Sequence, residues 1–197
     1  MRNVADRLDD QQAADANSAR ARRRDDEDAV APGHVDKARV GALAHALIAG
    51  LLAGGQRDPS PERIASASAL LPGLADVGSY RVAVRQRTTT SAALYFRLFI
   101  PGDEWTFEGA ELRGLSARFD LVWRSAAGVV VDELKSGRAA TRRALAELRE
   151  QTARETRAGA SMFGEQFLGV RAVILGAPRT SFFADRDGGC ATLEWRS

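Results

Sequence analysis

The stretch from Phe119 to Gly137, FDLVWRSAAGVVVDELKSG, constrains this chain more than any other. Aromatic and branched residues fill Phe119 to Arg124, Ser125 to Gly128 supplies a turn, and Val129 to Val131 resume the strand. That pattern predicts a β-hairpin. Charges interrupt it at Asp120, Asp132, Glu133 and Lys135. If Arg124 pairs with Val129, the same register sets Asp120 opposite Glu133, and direct cross-strand partners share a face about 5 Å apart. Lys135 stands two residues beyond Glu133 and joins that face. A slip of one residue would send one carboxylate to the other side, so everything here depends on register.

Like charges opposed on a sheet destabilise it unless something cationic intervenes. Protonation of one carboxyl, the Lys135 amine or a bound metal ion can each relieve the repulsion. Carboxylate oxygens are hard ligands suited to magnesium or manganese, and a main-chain carbonyl such as that of Leu134 can complete the shell. Lys135 can then orient an attacking water or stabilise developing negative charge. Metal-activated water attacking a phosphodiester is the reaction this set suits. The plainer reading is an ion-paired, half-exposed hairpin, since Glu-x-Lys alone is a common string. Only Lys37 and Lys135 among 28 basic residues are lysines, which makes a lysine beside the carboxylates a rare choice.

At 197 residues the chain suits one domain with a substantial core. A net charge of +2 provides no global attraction for a polyanion, so a basic surface must be local. The lone Cys190 excludes an intrachain disulfide and a four-thiolate cluster, and points to a reducing compartment. No apolar run approaches the ~20 residues of a membrane span, and no apolar stretch follows the basic residues near the N-terminus. The expectation is a cytoplasmic protein without a membrane partner.

Residues 1–33 are polar and carry the run RARRRDDED, and they read as a charged, disordered tail. The folded domain is assigned to residues 34–197. Val40, Leu43, Ala44, Leu47, Ile48 and Leu51 recur at helical steps up to Gly54-Gly55. A second helix follows Pro61, with Ile64, Ala67, Leu70 and Leu71 on one side. Alternation from Tyr80 to Thr88 predicts a strand, with Ala92 to Ile100 as its partner. Trp105 to Leu112 leads into the central hairpin. Thr141 to Arg157 reads as a helix, Leu168 to Leu175 as a buried strand. Thr180 to Ala184 and Ala191 to Trp195 flank the turn Asp187-Gly188-Gly189. The fold class is therefore α/β, with a mixed central β-sheet flanked by helices.

Gly114-Leu-Ser-Ala-Arg-Phe-Asp120 followed by Val129-Val-Val-Asp-Glu-Leu-Lys-Ser-Gly137 resembles the core of the PD-(D/E)XK nuclease superfamily, and within it the RecB-like branch. The resemblance covers roughly residues 35–176. It implies a restriction-endonuclease-like core, metal ligation by Asp120 and Glu133 with the Leu134 carbonyl, and a hydrolytic role for Lys135. Asp132 misses the acidic position, its spacing to Lys135 being one too long. The branch carries a Gly-x-x-x-His helix upstream, matched by Gly41-Ala-Leu-Ala-His45, which implies His45 as a further metal ligand. Downstream it carries Gln-x-x-x-Tyr, where Gln151 matches but Glu155 replaces the tyrosine. No iron–sulfur cysteines and no helicase motifs accompany the pattern. His34 is given no role.

The resemblance implies a magnesium- or manganese-dependent deoxyribonuclease acting on DNA in repair, recombination or phage defence, alone or with a helicase or other protein subunit. Arg138, Arg142 and Arg143 adjoin the site and are the leading candidates for contacting nucleic acid, ahead of Arg81, Arg85 and Arg87. The competing reading is a non-catalytic, nuclease-like module that binds nucleic acid or docks onto a larger complex. Whether cutting is endo- or exonucleolytic, and on which strand type, the sequence leaves open.

Overall fold

The central hairpin forms in the anticipated register. In the computed structural model, which describes residues 37–114, 117–137 and 141–193, β2 (Arg118–Ser125) and β3 (Gly128–Lys135) pair antiparallel with Arg124 opposite Val129 and Leu121 opposite Asp132. The turn is tighter than expected. Ser125 pairs with Gly128, leaving Ala126 and Ala127 as the loop. Gly128 takes a φ of 146° and lies so close to the Gln166 carbonyl and Leu168 that a Cβ would clash, which makes glycine the residue that fits.

Around this hairpin a six-stranded sheet is ordered β1 to β6. The other strands are β1 (Thr106–Arg113), β4 (Phe167–Ile174), β5 (Phe182–Asp185) and β6 (Cys190–Thr192). All neighbours are antiparallel except β3 and β4, which run parallel. A parallel pair needs a crossover, and helix α4 (Arg142–Phe163) provides it. Thr141 caps α4 by accepting the Ala144 N–H at 3.1 Å. Helices α1 (Lys37–Ala53), α2 (Pro61–Ala69) and α3 (Arg81–Leu98) precede the sheet. Ser60 caps α2 through the Arg63 N–H, with Pro61 in its first turn. None of the helices among the described residues is long and apolar enough to cross a membrane.

The two faces of the sheet carry separate cores. Leu121, Trp123, Leu134 and Val173 pack with Leu47, Ile48 and Leu51 of α1 and Tyr95 and Phe96 of α3. On the opposite side Val122, Val129, Val131 and Val170 meet Ala158 of α4. Period-two alternation assigns these side chains to one helical layer or the other. It breaks at Glu111 (φ 55°) and Asp120, on either side of which Ala110 and Leu121 join the first core and Leu112 and Phe119 the second. The mixed α/β architecture follows.

One expectation fails. The two strands predicted over Tyr80 to Thr88 and Ala92 to Ile100 are a single helix, α3. Its buried residues are Val84, Thr88, Ala92, Tyr95 and Phe96, a helical spacing whose first half is disguised by small or polar side chains. Val82, which carried the apparent alternation, is 79% exposed. Thr89 and Thr90 return their hydroxyls to main-chain carbonyls one turn back, at Arg85 and Gln86, so these β-branched residues are absorbed by the helix. Arg85 reaches across to Ser68 Oγ and the Ala65 carbonyl, fastening α3 to α2.

The tail at residues 1–33, His34, Arg138 and the end of the predicted strand at Trp195 lie outside the described residues.

Candidate functional site

Four elements converge at the end of β2 and β3 to line one cleft of about 320 Å³: His45 from α1, Arg118 and Asp120 from β2, Glu133 and Lys135 from β3, and Gln151, Arg154 and Glu155 from α4. These residues are far apart in the chain, and the pairing of β2 with β3 is what gathers the central three.

Past Leu121 and Asp132 the ladder gives way to a side-chain contact. The Leu134 N–H donates to Asp120 Oδ2 at 2.8 Å. His45 approaches the same oxygen with Nδ1 at 3.6 Å. Gly41, one helical turn before His45, faces Ser136 just past the end of β3, where a Cβ would sit 2.7 Å from Ser136 Oγ. A larger side chain there presses on the approach that brings His45 to Asp120.

Glu133 is held from two directions. Lys135 Nζ donates to Glu133 Oε1 at 2.5 Å and Gln151 Nε2 donates to the same oxygen at 2.7 Å. Gln151 Nε2 also donates to Glu155 Oε1 at 2.7 Å. The other oxygen of Glu155 is buried without a hydrogen-bond partner. Glu155 thus stands in the cleft at the position where tyrosine was expected.

Electrostatics follow from burial. Asp120 and Glu133 are each 4% exposed. Burial raises the pKa of Asp120, against the pull of the Leu134 N–H and of Lys135. Burial, then the neighbouring Asp120 charge, raises that of Glu133 against Lys135. Burial lowers the pKa of His45, which favours the neutral imidazole with a lone pair available to a metal. Glu155 is pushed up to about 8, first by burial and then by the Glu133 charge. Desolvating such charges costs several kcal/mol per ion. The apolar residues around them offset this, at about 1.5–3 kcal/mol for each fully buried Leu or Val.

The donor set fits a hard divalent cation. His45, Glu111 and Asp120 each offer an atom within 4.8 Å of the others, and two further buried carboxylates, Glu133 and Glu155, line the cleft beside them. Carboxylate oxygens suit magnesium or manganese, and an imidazole nitrogen is a donor that transition metals take more readily. Glu111 escaped the reading of the sequence. It lies on β1 between Ala110, opposite Leu121, and Leu112, opposite Phe119, which places it across from Asp120. Arg118 and Arg154 also went unnoticed. The first stands two residues before Asp120 and the second three after Gln151, spacings that put each on its neighbour's face.

Asp132 belongs elsewhere. It faces the α1–α3 side, where Arg171, its partner on β4, grips it with Nε at 2.5 Å and Nη2 at 2.7 Å. Tyr95 Oη donates to it at 2.6 Å and Trp123 Nε1 at 3.2 Å. It is a structural anion. Arg142 and Arg143 open α4 exposed and outside the residues lining the cleft, and Arg143 pairs with Glu147 at 2.8 Å.

No protein-family model matches the chain, and no curated protein matches it.

Proposed function

We propose that this protein is a magnesium- or manganese-dependent nuclease of the PD-(D/E)XK type, hydrolysing phosphodiester bonds in DNA. The observation that carries the reading is the meeting of His45, Asp120, Glu133, Lys135 and Gln151 in one cleft. All five were singled out by motif positions spread over more than half of the chain. An incidental ion-paired hairpin accounts for Glu133 and Lys135. It does not account for a histidine and a glutamine arriving from two separate helices.

In this reading His45, Asp120 and Glu133 hold the ion, with the Leu134 carbonyl as a further donor and Glu111 within reach. The ion supplies positive charge for the phosphate and makes bound water more acidic. Hydrolysis joins a water oxygen to phosphorus, breaks the P–O bond to the leaving oxygen and delivers a proton to that oxygen. Lys135 faces the cleft from beside Glu133 and donates to the incoming water or the charge that builds on phosphate. Gln151 keeps Glu133 Oε1 in place while that charge moves. Purified protein with magnesium or manganese and a labelled DNA, compared with Glu133→Ala and Lys135→Ala, tests the assignment. Both variants are expected to lose cutting by at least about 100-fold. Metal-dependent cutting that survives both changes would falsify it.

One observation favours a non-catalytic nuclease-like module: Glu155 stands where the motif calls for tyrosine. In that reading the protein binds nucleic acid or docks onto a helicase or other subunit. Wild-type protein that binds strands without binding manganese and without cutting would establish it in place of the enzyme.

A further inference from the structure

We propose that Arg118 is a displaceable counter-ion, which neutralises Glu111 and Asp120 in the metal-free protein and is released to a substrate phosphate when a divalent cation takes those carboxylates. The proposal rests on the nuclease reading for its substrate, a nucleic-acid phosphodiester. Its first half, competition for the carboxylates, stands on the geometry of the metal-free protein.

Arg118 Nη1 lies 3.0 Å from Glu111 Oε2 and Nη2 lies 4.0 Å from Asp120 Oδ1. One guanidinium therefore spans two of the three residues whose ligand atoms cluster within 4.8 Å. The third, His45, sits on the other oxygen of Asp120. A guanidinium is a permanent cation with no lone pair to offer a metal. It shares the carboxylates with a divalent ion only by competing for them. Its side chain is 56% exposed, so it swings into solvent at small cost, unlike Lys135, which stays tied to Glu133.

Once an ion neutralises Glu111 and Asp120, the attraction that folds Arg118 over them weakens. The freed fork remains at the rim of the cleft it lines. Phosphate oxygens, like those of a carboxylate, match that fork in bidentate fashion. Metal and strand would then be coupled. Metal binding opens the phosphate contact, and by reciprocity strand binding strengthens metal affinity.

Two titrations of the whole chain test this: manganese alone, followed by electron paramagnetic resonance, and a fluorescent short DNA strand in calcium, which holds chemistry off. Arg118→Gln is expected to bind manganese roughly two- to five-fold tighter than wild type, the range of a half-exposed ion pair. The same variant should bind the strand roughly ten-fold more weakly in calcium, as for loss of a charge-assisted bidentate contact. Arg118→Lys keeps the charge and should hold manganese affinity near wild type. Glu111→Gln should move manganese binding the opposite way, to weaker. Arg97→Ala, removing an exposed positive charge outside the cleft, should shift neither titration. Manganese affinity that is unchanged or weaker in Arg118→Gln, or unchanged strand affinity, overturns the proposal even where wild-type cutting is established. Failure of the nuclease reading looks different: manganese affinity still tightens in Arg118→Gln, while the wild type neither cuts DNA nor binds the strand.

Discussion

The Leu134 main-chain N–H donates to Asp120 Oδ2 at 2.8 Å, so the strand that bears Glu133 and Lys135 also holds the carboxylate of its neighbour. A side chain has taken the place of a ladder hydrogen bond at the end of the hairpin. One step away, Asp132 makes charged contacts on the opposite face. Two aspartates, both buried, thus have contrasting environments.

Their amides should separate these roles. Asp120→Asn still accepts from Leu134 and removes a charge that burial and Glu111 oppose, so stability in urea should change by less than about 1 kcal/mol. Asp132→Asn leaves Arg171 buried without its counter-ion and should cost about 3–5 kcal/mol. Equal losses in the two variants would mean that Asp132 is not the structural anion described.

Glu155 makes stability fall as pH rises from mild acid towards about 8. Its pKa is about 8 in the folded chain against an ordinary 4.5. Between those values the folded state keeps a proton that the unfolded state has released, so stability falls as pH rises through that window and is not penalised below it. Melting temperature in chelator should drop from pH 5 to pH 8, and Glu155→Gln should flatten the drop. A wild-type profile as flat as that of the variant would contradict the burial of this carboxyl.

Gly41 and Gly50 occupy the same helix and should respond with opposite signs. Gly50→Ala adds a Cβ to open space and should stabilise by up to about 1 kcal/mol through helix propensity. Gly41→Val drives α1 off Ser136 and carries His45 away from Asp120. Manganese affinity should fall in Gly41→Val even at temperatures where circular dichroism shows the helices intact.

Gln151 bridges two carboxylates through a single amide nitrogen. Gln151→Leu removes the donor and leaves Glu133 held by Lys135 alone. Loss of an outer hydrogen bond to a ligand typically weakens metal binding about 10–100-fold. A manganese titration of Gln151→Leu that overlays the wild type would remove Gln151 from the site.

The candidate site was legible where its signals were local. The hairpin announced its register through alternation and a short turn, and that register set Asp120 across from Glu133. Gly41 and His45 share a helical turn, so their association needed no knowledge of the fold. Helix α3 was misread because Thr88 and Ala92 occupy its buried stripe, and neither advertises burial in a hydrophobic pattern. Asp132 was set aside by its spacing to Lys135, but what it does instead emerged only when the partner strand supplied Arg171.

What the sequence by itself determined is the chemistry available: two carboxylates and a lysine on a strand pair, a histidine behind a glycine, and a glutamine on the following helix. These follow from periods of two and of three to four residues. The tertiary structure decided what joins them. The register of β1 against β2 shifts between Phe107 and Gly109, which sets Glu111 level with Asp120 in place of Phe119. Glu111 itself takes a φ of 55°, and Ala110 and Leu112 on either side of it pack in opposite layers. Such irregularities re-aim side chains, and nothing in the spacing of Glu111 and Asp120 along the chain reveals them.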